Sequence, residues 1–155
     1  METGKFYFIA NEYYVKFENC GLLGNKDIGT EKHGRPCFYC FRTDTFCWMI
    51  PISSKVEKYE KLYKEKMKRY KGKFDGIRFG YVNGEKRAFL VQNLCPVTEQ
   101  YVEKKYRINR DTVDVVIDPK LAKELNSIVK KVLRLYKQGI KIVMTDLDQI
   151  LDGLK

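Results

Sequence analysis

Ser53, Ser54 and Lys55 follow an apolar stretch that ends in Pro51-Ile52, and they precede a long run with helical spacing. These residue types suit one chemistry: hydroxyls that hold an anion, beside an ammonium that neutralises charge or carries a proton. The lysine's position is unusual. A helix N-terminus bears about half a positive charge, so a cation in the first turn costs about 0.3–1 kcal/mol. The same field and the free N–H groups of that turn favour a phosphate. The field also disfavours the protonated amine, which suits a lysine that exchanges a proton near neutral pH. Locally, Ser54-x-x-Glu57 has the pattern of a capping box, with Ser54 as N-cap and Glu57 at N3.

Other chemistries find little support. His33 is the one histidine, so a two-histidine acid–base pair is impossible. There is no HExxH motif. Gly24 and Gly29 have the spacing of a P-loop, but Thr30 and Glu31 follow where Lys and Ser/Thr are required. Cys37-x-x-Cys40 lies in a strand-like run whose alternate residues face opposite ways, so it reads as core rather than zinc site. Cleavage of RNA needs no metal, because the 2′-OH is an internal nucleophile. It needs a group to take the 2′ proton, donors for charge growing on the phosphate, and a proton for the leaving oxygen. Lys, Arg, Ser and Tyr can supply all three.

The elements that must position these residues follow from patterning. Residues 5–10, KFYFIA, form a short buried strand, and Asn11 caps a short helix that stops at Asn-Cys-Gly. Four glycines among polar residues make 21–34 a loop. RPCFYCFR and TFCWMIPI, separated by Thr-Asp, form a hairpin of buried strands. An antiparallel partner of WMIPI starts near that strand's end. This brings Arg35, with His33 beside it, to the Ser53–Lys55 cluster. From 55 to 73, apolar residues recur at steps of three and four, which predicts an amphipathic helix. GIRFGYV and AFLVQNLCPV form a second hairpin around Asn83-Gly84, and TVDVVI is a further strand. Asp118-Pro119 opens a long helix that Gly139 closes, and DLDQILDGL is a short final helix. The class is α+β, an antiparallel, curled sheet with helices at its side. Residues 1–155 read as one domain, with the C-terminal helices of about 118–154 packed on the sheet.

The chain has 30 basic and 20 acidic residues, a net charge of +10. That field attracts polyanions, nucleic acid before membrane. The predicted helix at 55–73 concentrates it, with nine basic against three acidic residues. Lys58, Lys61, Lys64, Lys66, Lys68 and Arg69 are an excess that i,i+4 pairs such as Glu57–Lys61 and Glu60–Lys64 cannot absorb. With tyrosines interleaved, they suit a surface that tracks RNA. The longest apolar run, FCWMIPI, is far short of a membrane span. No export signal is evident and the five cysteines follow no regular framework, so a cytoplasmic protein with reduced thiols is expected.

In order, KFYFIANEYY, GRPCFYCF, FCWMIPISSK and AFLVQNLCPV resemble the landmarks of type III toxin–antitoxin endoribonucleases, the ToxN/AbiQ-like toxins, with the CptN branch nearest. The resemblance spans about residues 5–100. It implies a compact, twisted antiparallel sheet related to the MazF/Kid toxins. It also implies metal-independent cleavage leaving 2′,3′-cyclic phosphate and 5′-OH ends, with no cofactor. The implied partner is a small pseudoknot RNA antitoxin, cut by the toxin from a repetitive precursor and joined with it into closed assemblies. The catalytic stretch carries over to Ser53, Ser54 and Lys55, the N-terminal tyrosine to Tyr13, and the basic residue at the first hairpin strand to Arg35. Serine replaces threonine at 53. The spacing to the lysine is one shorter than in some relatives, which makes Lys58 the alternative to Lys55. His33 has no counterpart. The competing reading is a non-catalytic RNA-binding module using the same basic helix.

Overall fold

The computed structural model describes residues 1–29 and 32–155; positions 30–31 of the expected glycine-rich loop lie outside the described residues. The first strand, β1 (Phe6–Ile9), leads into α1 (Asn11–Lys16). The aromatic hairpin is β2 (Pro36–Thr43) and β3 (Phe46–Ser53), joined at Asp44-Thr45 with Asp44 at φ +56°. After α2 (Val56–Arg69) come β4 (Arg78–Val82) and β5 (Glu85–Phe89), turned at Asn83-Gly84. Both turn residues have positive φ, +51° and +77°, as a two-residue type I′ turn requires. Three short strands follow β6 (Cys95–Val97), namely β7 (Val102–Lys105), β8 (Arg107–Ile108) and β9 (Val113–Asp114). The chain ends in α3 (Pro119–Lys137) and α4 (Leu147–Gly153).

The main sheet has the order β4-β5-β3-β2-β1-β7, with β6 also on β3, and every pairing is antiparallel. The fold is α+β. Its hub is β3, one edge of which pairs with β2 while the other is divided in two. Cys47–Met49 pair with β6, and Ile52 and Ser53 pair with Phe89 and Ala88 of β5. The expected single strand over AFLVQNLCPV is therefore interrupted. Leu90 donates to the Pro51 carbonyl, Val91–Asn93 turn as a 3₁₀ segment, and β6 resumes farther back along β3. TVDVVI likewise shrinks to β9.

Both faces of β1, β2 and β3 are covered, which is why these central strands read as apolar runs instead of alternating. On one face Phe6, Phe38, Trp48 and Ile50 pack under Leu125, Ile128 and Val129 of α3. On the other, Tyr7, Tyr39 and Met49 pack under Tyr13 of α1, Phe17 at its C-cap and Ile150 of α4. Cys37 and Cys40 fall in these two different clusters. A third cluster seats Tyr59 of α2 on Ile77, Ala88 and Leu90. The Asp118 carboxylate caps α3 by accepting from the Lys120 N–H at 2.9 Å. Among the described residues no helix is long and apolar enough to cross a membrane.

The connection from α3 to α4 is laid against two earlier turns. Met144 N–H donates to the Gln92 carbonyl and Asp146 N–H to the Cys20 carbonyl. Gly21 sits under it at φ +79°, where a Cβ would lie 2.4 Å from the Met144 carbonyl oxygen. Gly21→Ala is expected to cost about 2 kcal/mol, from left-handed backbone strain together with displacement of that carbonyl. Urea unfolding measures it, with Gly84→Ala, where a Cβ meets open space, as the milder comparison.

Candidate phosphate-binding site

The hairpin register decides what meets at the end of β3. Cys37 pairs with Pro51, so the residue two before Cys37 stands beside the last turn of β3. That residue is Arg35, 8% exposed. Its Nε donates to the Gly24 carbonyl at 2.8 Å and its Nη1 to the Ile52 carbonyl at 2.7 Å. Among the described residues no carboxylate forms an ion pair with it, and Nη2 makes no hydrogen bond. An ion out of water usually has a counter-charge. This guanidinium is held by neutral carbonyls and keeps its full charge for an anion.

The loop before β2 is built around the same side chain. Asn25 Oδ1 accepts from the Arg35 N–H at 3.1 Å, and its Nδ2 donates to Asn11 Oδ1 at 3.2 Å. Gly34, at φ +87°, donates to Asp27 Oδ1, and a Cβ there would lie 2.7 Å from Asn25 Oδ1. Sequence patterning did not single out Asn25, because its partners lie at least ten residues away.

Ser53, 4% exposed, closes β3 beside Arg35's anchor at Ile52. Its Oγ accepts from the Lys55 N–H at 3.2 Å. The expected capping box is not formed. The cap position of α2 is Lys55 itself, no side chain caps the helix, and Val56 N–H bonds the Ser54 carbonyl. Ser53's hydroxyl competes for the backbone one residue too early for Ser54 to cap, a known habit of serine in turns. The first turn of α2 therefore keeps N–H groups without side-chain acceptors. Ser54 is half-buried and Lys55 exposed at this end. Arg35, Ser53 and Lys55 are thus brought together by two strand ends and a helix start.

Two expected partners lie elsewhere. Tyr13 is fully buried, its hydroxyl donating to the Pro96 carbonyl at 2.7 Å, and burial pushes its pKa well above the usual range. It is a core residue and is not brought to Ser53. Its neighbour Tyr14 comes closer. Tyr14 is half-buried with its hydroxyl 3.9 Å from Cys37 Sγ, two residues along β2 from Arg35. Burial raises the Tyr14 pKa well above its ordinary value, with Arg35's charge opposing, so the hydroxyl keeps its proton. His33 does not join the cluster either. Its ring packs on Phe8 and Tyr106, with centroids at 4.7 and 5.0 Å, toward β1 and β7, while β3 lies beyond β2.

The α2 cations divide by face. Lys58, Lys61, Lys64, Lys68 and Arg69 are exposed, and Lys66 is half-buried with its Nζ 5.8 Å from the Tyr70 ring centroid. Neither expected i,i+4 pair forms: Glu60 instead binds Lys86 on β5 at 2.9 Å. Among the described residues, none of these six cations has a carboxylate partner.

No family model and no curated protein sequence matches the chain. Among solved structures the fold is similar to that of AbiQ. That protein is described as a lactococcal anti-phage endoribonuclease belonging to the type-III toxin–antitoxin system. The similarity has a TM-score of 0.65 and covers 98% of this chain and 96% of AbiQ, at 12% sequence identity. At that identity the likeness is one of fold, and the residues that do chemistry must be argued from their own geometry.

Burial separates the roles of the cluster in stability. Arg35→Lys keeps a charge but cannot reproduce the two-carbonyl fork, and is expected to cost about 2–3 kcal/mol. Lys55→Ala, at an exposed position, should stay within about 0.5 kcal/mol of the parent. Chemical denaturation of the two variants checks the contrast.

Proposed function

We propose that the protein is a metal-independent endoribonuclease, the toxin of a type III toxin–antitoxin pair, with its site at Arg35, Ser53 and Lys55. One observation carries the reading: a nearly buried guanidinium with no carboxylate partner among the described residues stands at the strand end that bears Ser53 and the turn at Lys55. The full-length fold likeness to an endoribonuclease supports it.

In this reading Arg35 Nη2 and the first-turn N–H groups of α2 hold the non-bridging oxygens of the scissile phosphate. Ser53 orients that phosphate through its hydroxyl, and Ser54 lines the approach. The 2′-oxygen attacks phosphorus as its proton passes to Lys55. The bond from phosphorus to the 5′-oxygen breaks, and that oxygen takes a proton from Tyr14, which replaces Tyr13 in this role. The products are a 2′,3′-cyclic phosphate and a 5′-OH, and exchange with water resets both side chains. Donors already placed where charge develops do most of the work, as in other preorganised sites. The lysine face of α2 carries the flanking RNA and a small structured RNA antitoxin, with which the toxin assembles. A toxin of this kind acts in the cytoplasm. Nearness to the CptN branch rests on the ordered motifs of residues 5–100.

Lys55→Ala should lower RNA cleavage by about 10²–10⁴-fold and abolish toxicity on expression. Its affinity for RNA should fall little, because the phosphate contacts are spread along α2. Cleavage assays and a gel-shift titration on the same preparation check this. Undiminished cleavage would remove Lys55 from the site, and RNA bound but never cut by the parent protein would favour the non-catalytic module.

A further inference from the structure

A concave site lies at the end of α2 opposite to Lys55. A cleft of about 460 Å³ opens between the last turn of that helix, the segment 73–76, α3 and the α3–α4 connection. Its mouth carries an aromatic pair: the Tyr70 and Phe74 rings are near-parallel, 18° apart, with centroids at 6.3 Å. Phe74 is half-buried and anchored beneath, whereas Tyr70 is 47% exposed. Gly76 is required under Phe74, where a Cβ would come within 2.6 Å of the ring.

The charge around the cleft is unbalanced. Asp75 is shared by Lys131 at 2.8 Å and Arg78 at 3.0 Å, and the hydrogen bond from Lys131 holds its carboxyl below the usual range. Lys141 is paired with Asp148. Lys66 and Lys73 have no carboxylate partner among the described residues and remain as free cations. Gln92 lines the floor. The residue is 7% exposed, and its carboxamide makes no hydrogen bond to any described residue. Its donor and acceptor are therefore open to a ligand that enters the cleft.

We infer that this cleft is a subsite for an unpaired nucleobase of single-stranded RNA, stacked on Tyr70, edge-bonded by Gln92 and flanked by Lys66 and Lys73. The inference rests on the RNA-binding part of the proposed function and adds a site to it. Stacking faces are indifferent to base identity, and a carboxamide offers the paired donor and acceptor that a base edge presents. An acidic peptide would use the lysines but leave the ring pair and the amide idle. From Lys55 to Lys66 the helix rises about 16 Å, with Lys58, Lys61 and Lys64 exposed between. A strand held at the phosphate site and running along α2 reaches the cleft.

The test uses the full chain carrying Lys55→Ala, so that RNA stays intact, and an unstructured fluorescent RNA at fixed salt. Adding Tyr70→Ala should weaken binding about tenfold, the loss expected for one stacked base. Tyr70→Trp should restore it, and Gln92→Met should weaken it. An RNA with abasic sites throughout should bind equally well with and without the Tyr70→Ala substitution. Equal affinity of the Tyr70→Ala protein for normal RNA overturns the subsite while leaving the phosphate site standing. So does a Tyr70 effect that persists on abasic RNA, or one seen only with phosphatidylserine vesicles. If the Lys55→Ala parent binds no RNA at all, the functional reading falls together with the subsite.

Discussion

A guanidinium that is 8% exposed and has no carboxylate partner among the described residues is an expensive thing to bury. Arg35 is kept in place by two backbone carbonyls, one from the glycine-rich loop and one from the end of β3. That fork does two jobs. It pins a loop with little secondary structure of its own to the sheet, with Asn25 and Asp27 completing the attachment. It also sets a positive charge beside Ser53 and the start of α2. A carboxylate at this point would stabilise the fold and cancel the charge. Hydrogen bonding by neutral carbonyls stabilises the side chain without neutralising it, and so keeps it available to an anion.

The division of β3 between β5 and β6 has a related consequence. β5 pairs with the last two residues of β3 and holds one edge up to Ser53, while β2 pairs as far as Pro51 and the Arg35 side chain takes over at Ile52. The chain then enters α2 within two residues. Tyr59 fixes the first part of that helix to Ile77, Ala88 and Leu90, so the helix start cannot drift relative to the strand end. A site that must place donors to within fractions of an ångström benefits from rigid elements on both sides. The other end of α2 stops at Tyr70, where Lys71 and Gly72 take positive φ and the chain turns into the aromatic cleft. One helix thereby runs from the Arg35–Ser53–Lys55 cluster to the aromatic cleft along an exposed lysine face.

How much of this could be read from residues alone depends on whether the deciding interaction is local. α3 was fully legible, since Asp118-Pro119 is a local cap and Gly139 a local stop. The aromatic hairpin was legible too, and with it the meeting of Arg35 and Ser53, which follows from antiparallel pairing. The start of α2 was misjudged because two serines compete for one backbone, and only geometry shows that Ser53 takes the Lys55 N–H. The burial of Tyr13 is legible only in part: Tyr13 and Phe17 are four apart, the spacing of one helical face, but nothing local fixes that face as the inner one. The mainly apolar run from Ala88 to Val97 hides a buried turn, because Gln92 and Asn93 inside it are 7% and 5% exposed, like core residues. The Val102–Lys105 strand is charged and half exposed, so it leaves no periodic signature. Asn25 acts through partners distant in sequence, which patterning does not reach.

The account holds that a carbonyl-held guanidinium, a hydroxyl and a lysine at a helix start break a ribose-phosphate link with no metal. Its most direct test is the chemistry of the ends produced when the purified protein meets mixed cellular RNA in excess EDTA. Fragments ending in 2′,3′-cyclic phosphate and beginning with 5′-OH are the predicted result. Intact RNA, or fragments that appear only on adding a divalent cation and carry 3′-OH and 5′-phosphate ends, would contradict it.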